Sequence, residues 1–287
     1  MKGLSWNCRG FNDTLSPAIP KLRALVSSNK YDFLFLAETK CSVHHVNSLL
    51  RSSGFVESVG VDALGASGGL WVGWRKGLKM KSVVVYSNFV ILLMDEYASL
   101  PWYLILFYGE PNSSLRLPIL EELSTWIESF VYPFIIFGDF NQVEYKCDKV
   151  SGSKRPIAGA NSFNCWKIDN ELVDIPFKGP RFTWCNNRKG NKRVYERIDK
   201  ALGSKEWLLN FPNTAVKHFP IQLSDHAPVE LNLHLIKRPS KKPYKLEWWN
   251  LENEECLGLI QNTWRTRIRG SPVFRLMRKL ASVSDMN

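Results

Sequence analysis

The sequence predicts an α/β fold, and three observations carry that reading. Apolar runs of strand length alternate with segments whose apolar residues recur at helical spacing. Polar signposts adjoin the runs: Asn7 after residues 1–6, Glu38 after 33–37, Asp139 and Asn141 after 134–138, Asp199 after Ile198, and Ser224-Asp225-His226 before 228–235. In the middle of the chain, strand-like runs follow one another directly, punctuated by Gly, Asn or Pro. Parallel and mixed sheets hide the body of a strand and present its last residue at one rim, so these signposts are expected to meet there.

The elements are expected in this order. A strand over 2–8 is followed by a helix from about Ala18 to Ser28, a strand over 32–38 and a helix near 44–52. Runs of strand-forming residues then occupy 69–75, 80–86, 89–95 and 102–108, and consecutive strands of this kind pair antiparallel. Leu117, Leu120, Leu123, Ile127 and Phe130 share one helical face within 115–130, and the buried-strand run 134–137 comes next. A helix over about 161–172, a strand over 181–186, a polar turn over 187–192, a strand over 193–200 and a closing strand over 229–235 complete the domain. The turn Asn-Arg-Lys-Gly-Asn-Lys has the Gly and Asn of a hairpin loop. A basic, Pro-containing linker follows Leu235, then an amphipathic helical segment from Glu252 to about Ile268. The expected division is therefore residues 1–236 and 237–287.

Composition narrows the function classes. With 287 residues, 45% of them hydrophobic and 13% aromatic, the chain can fill a large core. Its longest apolar stretches, 102–108 and 89–94, fall far short of the ~18 residues that a bilayer span needs, and no secretory signal precedes the first strand, so no membrane association or secretion is expected. Six scattered cysteines without a CxxC pair speak against a disulfide framework or a structural zinc. The net charge of +11 points to a polyanionic partner, and residues 235–287 alone hold eleven Lys/Arg against five Asp/Glu. Trp71, Trp74, Trp102, Trp126 and Trp166 read as core residues; His44, His45, His218 and His234 read as surface residues.

Hydrolysis of a phosphodiester needs charge neutralised on the phosphoryl oxygens, a positioned water and a stabilised leaving group. Glu38 offers a hard oxygen ligand for Mg²⁺ or Mn²⁺. Asp139 and Asn141, two residues apart, can hold water and phosphate together. His226 can donate to a phosphoryl oxygen, with a carboxylate such as Asp199 fixing its tautomer.

The ordered blocks Ser5-Trp6-Asn7, Leu36-Ala37-Glu38-Thr39, Phe107-Tyr108-Gly109, Gly138-Asp139-Phe140-Asn141, Arg197-Ile198-Asp199 and Ser224-Asp225-His226 resemble the endonuclease/exonuclease/phosphatase superfamily. Within it, Ser-Trp-Asn-Cys-Arg-Gly at 5–10, Ala-Glu-Thr-Lys at 37–40, Ser-Gly-Gly-Leu at 67–70, Arg-Phe-Thr-Trp at 181–184 and Glu-Arg-Ile-Asp-Lys-Ala at 196–201 are similar to the endonuclease domain of plant LINE-type non-LTR retrotransposons. The resemblance covers about residues 1–235. It implies a DNase I-like four-layer α/β sandwich, two face-to-face mixed β-sheets flanked by helices, and a Mg²⁺-dependent endonuclease that nicks DNA to leave a 3′-hydroxyl. It makes Glu38 the principal metal ligand with Asn7 beside it and Asp225 assisting, Asp139 the residue that orients or deprotonates water, Asn141 and Tyr108 phosphate contacts, and His226, supported by Asp199, the phosphoryl-oxygen ligand.

Two features depart from related apurinic/apyrimidinic endonucleases. Arg9 stands where those carry Asp or Asn and cannot ligate a cation, which speaks against a second metal there. The segment from Tyr108 to Asn112 is one residue longer than their Tyr-x-Pro-Asn. The 181–200 segment holds seven Lys/Arg, and Arg188, Lys189, Lys192 and Arg193 at its turn are the expected DNA contacts. No polymerase sequence follows, so the chain is expected to be a truncated element, a genomic remnant or a domain put to another use, with DNA as partner in the nucleus or cytoplasm. A non-catalytic nucleic-acid-binding remnant and a phosphatase or lipid phosphodiesterase are the competing readings; the basic turn favours nucleic acid.

Overall fold

A computed structural model describes residues 1–11, 16, 18–65, 67–95, 100–151, 156–222, 224–233 and 254–268, with isolated positions from 272 to 279. The chain divides into two compact units, Met1–Ile236 and Lys237–Asn287. The second contains an amphipathic helix, Glu254–Arg265; the basic linker expected at 237–243 lies outside the described residues, as does His234.

Two sheets organise the first unit. One runs in the order Phe177–Lys178, Ala215–His218, Val229–Asn232, Lys2–Asn7, Phe33–Ala37, Leu70–Arg75, Phe55–Val61. The other runs Val173–Asp174, Asp199–Gly203, Phe134–Asp139, Trp102–Tyr108, Phe89–Met94, Met80–Val85. Each is mixed. Lys2–Asn7 lies parallel to Phe33–Ala37, and Trp102–Tyr108 parallel to Phe134–Asp139, while most other neighbours are antiparallel. Of the three parallel pairs among the described residues, these two matter most for function, because parallel strands finish at the same edge.

Alternation along the strands builds four layers. Phe33, Phe35 and Ala37 join Leu104, Leu106, Ile135 and Phe137 in the core between the sheets, whereas Leu34 and Leu36 pack outward with Leu22, Val26 and Val46 of the helices Ala18–Ser28 and Val43–Leu50. On the far side, Ile105, Phe107 and Ile136 meet Leu120, Leu123, Phe163 and Trp166 of Arg116–Ile127 and Ala160–Asp169. Strands buried on both faces need apolar residues at nearly every position, which explains their unbroken apolar runs. The first unit is thus an α/β sandwich of the DNase I-like kind.

Several elements differ from the sequence expectation. The 181–186 run yields only Trp184–Cys185, and the 193–200 run splits into Tyr195–Glu196, which pairs with Trp184–Cys185 in a small third sheet, and Asp199–Gly203, which crosses to the second large sheet. Arg197 and Lys200, two of the seven cations counted in the 181–200 segment, are buried: Arg197 pairs with Asp148 and Asp174, and Lys200 with Glu144. His218 is buried too, stacked on Phe177 with Nδ1 2.9 Å from the Pro180 carbonyl. The five cysteines described are free, and among the described residues no helix is long and apolar enough to cross a membrane.

Candidate active site

The ends of the two parallel pairs form one rim. Asn7 closes its strand in register with Ala37, so Glu38 is the next residue beyond the rim. The Asn7 side-chain amide reaches both sheets: Nδ2 donates to Glu38 Oε1 at 3.0 Å and to Asp139 Oδ2 at 3.1 Å. Tyr108, in register with Asp139, donates its hydroxyl to Glu38 Oε1 at 2.9 Å. Burial, then the Glu38 and Asp139 carboxylates, push the Tyr108 phenol far above its usual range, so it stays a donor. Gly138 lets the strands approach this closely. At its φ of +152° an added Cβ would sit 2.0 Å from the Phe107 carbonyl oxygen.

Left-handed backbone is concentrated here. Arg9, Glu38 and Asn141, none of them glycine, have φ of +52°, +52° and +50°. Such conformations persist where surrounding contacts over-determine them, and they gather at functional sites. At Asn141 those contacts are visible: its N–H donates to Asp139 Oδ1 at 2.8 Å and its Nδ2 to the Gly109 carbonyl at 2.7 Å.

Asp199 faces Asp139 across the antiparallel ladder of Asp199–Gly203 with Phe134–Asp139. His226 completes the cluster, its Nδ1 3.2 Å from Asp199 Oδ2 and 3.7 Å from Asp139 Oδ2. Burial disfavours a charged imidazole, but Asp139 and Asp199 outweigh it and raise His226 to about 9. Burial raises Asp139 to about 7 against the opposing pull of His226, with Asp199 adding to the rise. The His226 loop is fastened from below: Ser224 Oγ donates to the Asn7 carbonyl and accepts the His226 N–H, and the Trp6 indole donates to the His226 carbonyl. These supports lay outside the sequence reading, because a Trp inside an apolar strand carries no signal beyond core filling.

Asp225 is engaged differently. Its Oδ2 accepts from Arg9 Nη1 at 2.8 Å and from the Trp184 indole at 2.9 Å, while the Arg9 N–H is 3.3 Å from Asn7 Oδ1. Glu38 and Asn7 supply the oxygen donors that suit a hard divalent cation, and the Glu38 side chain keeps 18% exposure, enough to admit one. The ligand atoms of Asp139, Asp199 and His226 also lie within 4.8 Å of one another. Those three are nearly sealed from solvent and already bonded among themselves or to Asn7 and Asn141, whereas Glu38 keeps some exposure, so Glu38, with the buried Asn7 beside it, fits a cation better.

Arg188, Lys189, Lys192 and Arg193 are all exposed on the loop joining Trp184–Cys185 to Tyr195–Glu196. Asn186 ties this loop to itself, its Oδ1 accepting the N–H groups of Arg188 and Val194 and its Nδ2 donating to the Lys192 carbonyl.

A model of the endonuclease/exonuclease/phosphatase family matches residues 4–226, most of the chain. The chain belongs to that family. Its members are nucleases or phosphatases, and solved structures share the fold of this one. A 3′-5′ exonuclease from Neisseria meningitidis is 18% identical with a TM-score of 0.65, the match covering 81% of this chain and 99% of that one. An AP endonuclease from Archaeoglobus fulgidus is 14% identical with a TM-score of 0.64, covering 81% and 98%. The endonuclease domain of TRAS1, a telomere-specific non-LTR retrotransposon, is 19% identical with a TM-score of 0.57, covering 82% and 99%. No curated protein sequence matches the chain significantly.

Proposed function

We propose that this family member is a divalent-cation-dependent phosphodiesterase that nicks DNA and leaves a 3′-hydroxyl. The observation that carries the reading is the meeting of Asn7, Glu38, Tyr108, Asp139, Asn141, Asp199 and His226 at one rim, from six separate stretches of sequence. A Mg²⁺ or Mn²⁺ ion held by Glu38 with Asn7 would neutralise charge on the phosphoryl oxygens. Asp139 positions the attacking water, its carboxylate fixed by the Asn7 amide and the Asn141 N–H. Asn141 and Tyr108 contact the phosphate. Asp199 holds His226 through Nδ1, which leaves Nε2 to donate to a phosphoryl oxygen.

The substrate assignment draws on charge. Four exposed cations on one loop suit a phosphate backbone, and a related 3′ phosphatase from Neisseria has been solved with a product DNA hairpin. The sequence blocks shared with LINE endonucleases favour a retrotransposon origin and hence work in the nucleus. Residues 1–236 form the catalytic unit in this reading, and 237–287 a basic extension. Supercoiled plasmid incubated with purified protein and Mg²⁺ is expected to give open circles, and EDTA to prevent them. Plasmid that is retarded on the gel but never opened would sink the catalytic assignment in favour of a DNA-binding remnant.

A further inference from the structure

Thr183 belongs to the Arg-Phe-Thr-Trp block, which the chemistry above leaves without a task. It is fully buried, so it touches neither solvent nor substrate. Its hydroxyl accepts two backbone N–H groups, those of Ile198 and Asp199, both at 3.1 Å. Its carbonyl accepts the Ala227 N–H at 2.7 Å, and its own N–H donates to the Glu196 carbonyl at 2.9 Å. The two residues that follow continue the seam: Cys185 N–H donates to the Asp225 carbonyl, and Trp184 forms an isolated β-bridge with His226.

The chain therefore connects Asp199 to His226 twice. One connection is the side-chain contact of 3.2 Å between them. The other runs through Thr183, from the Asp199 N–H to the hydroxyl and from the carbonyl to the residue after His226. A hydroxyl has two lone pairs, and both are used here on adjacent N–H groups at the start of the Asp199–Gly203 strand. β-Branching restricts the Thr χ1 angle, so the hydroxyl is held where those N–H groups point.

We propose that Thr183 is a positioning residue that sets the separation of Asp199 and His226 by joining the backbone of the strand that carries one to the loop that carries the other. The proposal rests on the phosphodiesterase reading for its kinetic arm and on geometry alone for its spectroscopic arm. Thr183→Val keeps the shape and removes the acceptor; Thr183→Ser keeps the acceptor and removes the methyl.

In the full chain, Thr183→Val is expected to lower kcat for plasmid nicking roughly ten- to hundredfold, with KM within about twofold, because a small displacement of a catalytic group costs turnover rather than binding. The imidazole N–H resonance that disappears in His226→Ala should shift or broaden in Thr183→Val. Thr183→Ser should restore both kcat and the resonance. Should the Val variant not fold, Thr183→Cys, a weaker acceptor of similar size, is expected to move the same resonance. An unshifted resonance with wild-type turnover in the Val variant, or an unshifted resonance in a Cys variant that replaces it, overturns the proposal. A parent protein that never nicks DNA would end the phosphodiesterase reading while leaving the resonance test of Thr183 in force.

Discussion

The rim and the basic loop at 186–194 are built on opposite plans. At the rim, Asp139, Asp199 and His226 are almost wholly buried, and each polar group is held by at least one other. On the loop, Arg188, Lys189, Lys192 and Arg193 stand in solvent, and the hydrogen bonds there serve mainly to shape the backbone through Asn186. Chemistry needs groups fixed before the substrate arrives, since reorganisation would cost rate. Attraction of a phosphate backbone needs charge and little geometry. Between the two, Arg197 and Lys200 show the same residue types used as mortar, sealed against acids in the interior.

The largest expected effect sits at the rim. Asp139→Ala and His226→Ala should each reduce nicking by about a thousandfold or more while DNA affinity stays within about threefold. Cleavage retained by either variant would break the assignment of chemistry to this cluster. Glu38→Ala should abolish nicking by another route, and calorimetry should show Mg²⁺ affinity weakened by at least roughly tenfold. Unchanged affinity would move the cation to the Asp139, Asp199 and His226 group.

The buried cations should govern stability instead. Burial raises the Glu144 carboxyl, but Lys200 and Lys167 more than reverse this and hold it at about 2, below its ordinary 4.5. A depressed folded-state value stabilises above the unfolded one, so this contribution should be present at neutral pH and be lost as pH falls from about 4.5 towards 2. Glu144→Gln should remove that acid dependence in urea melts between pH 2 and 5 and destabilise at pH 7. A parallel acid limb in parent and variant would contradict it.

The smallest effect belongs to the loop. Replacing Arg188, Lys189, Lys192 and Arg193 together by Ala should lower the salt slope of DNA binding by up to ~4, with no change in melting temperature or in turnover of bis(p-nitrophenyl) phosphate if that ester is a substrate at all. An unchanged slope would mean that the loop does not touch the backbone, and the basic residues beyond Leu235 would be the next place to look.

Legibility in the sequence followed burial. Strands sealed on both faces announce themselves as unbroken apolar runs ending on a polar residue, which is why Asn7, Glu38 and Asp139 could be placed at a rim. Short or peripheral elements gave no such signal: the edge strand Phe55–Val61 mixes exposed and half-buried positions around a register shift, Ala215–His218 is four residues long, and Lys205–Asn210 is a six-residue helix capped by Ser204. Arg197 and Lys200 could not be told apart from the loop cations because their acidic partners lie 23 to 56 residues away in sequence, where no periodicity reveals them. Thr183 was hidden for a related reason. Its bonds join three distant segments, and nothing local distinguishes it from any other threonine.

Gly138 carries none of the chemistry, yet the strand pair that aligns Tyr108 with Asp139 closes over it with no room for a single methyl. A substitution there would act as a wedge, driving apart the two carriers of the site while leaving every polar group in the sequence intact. The most economical way to take this site apart is therefore invisible to anyone counting its polar residues: one added carbon, two ångströms from a carbonyl, one position ahead of the aspartate.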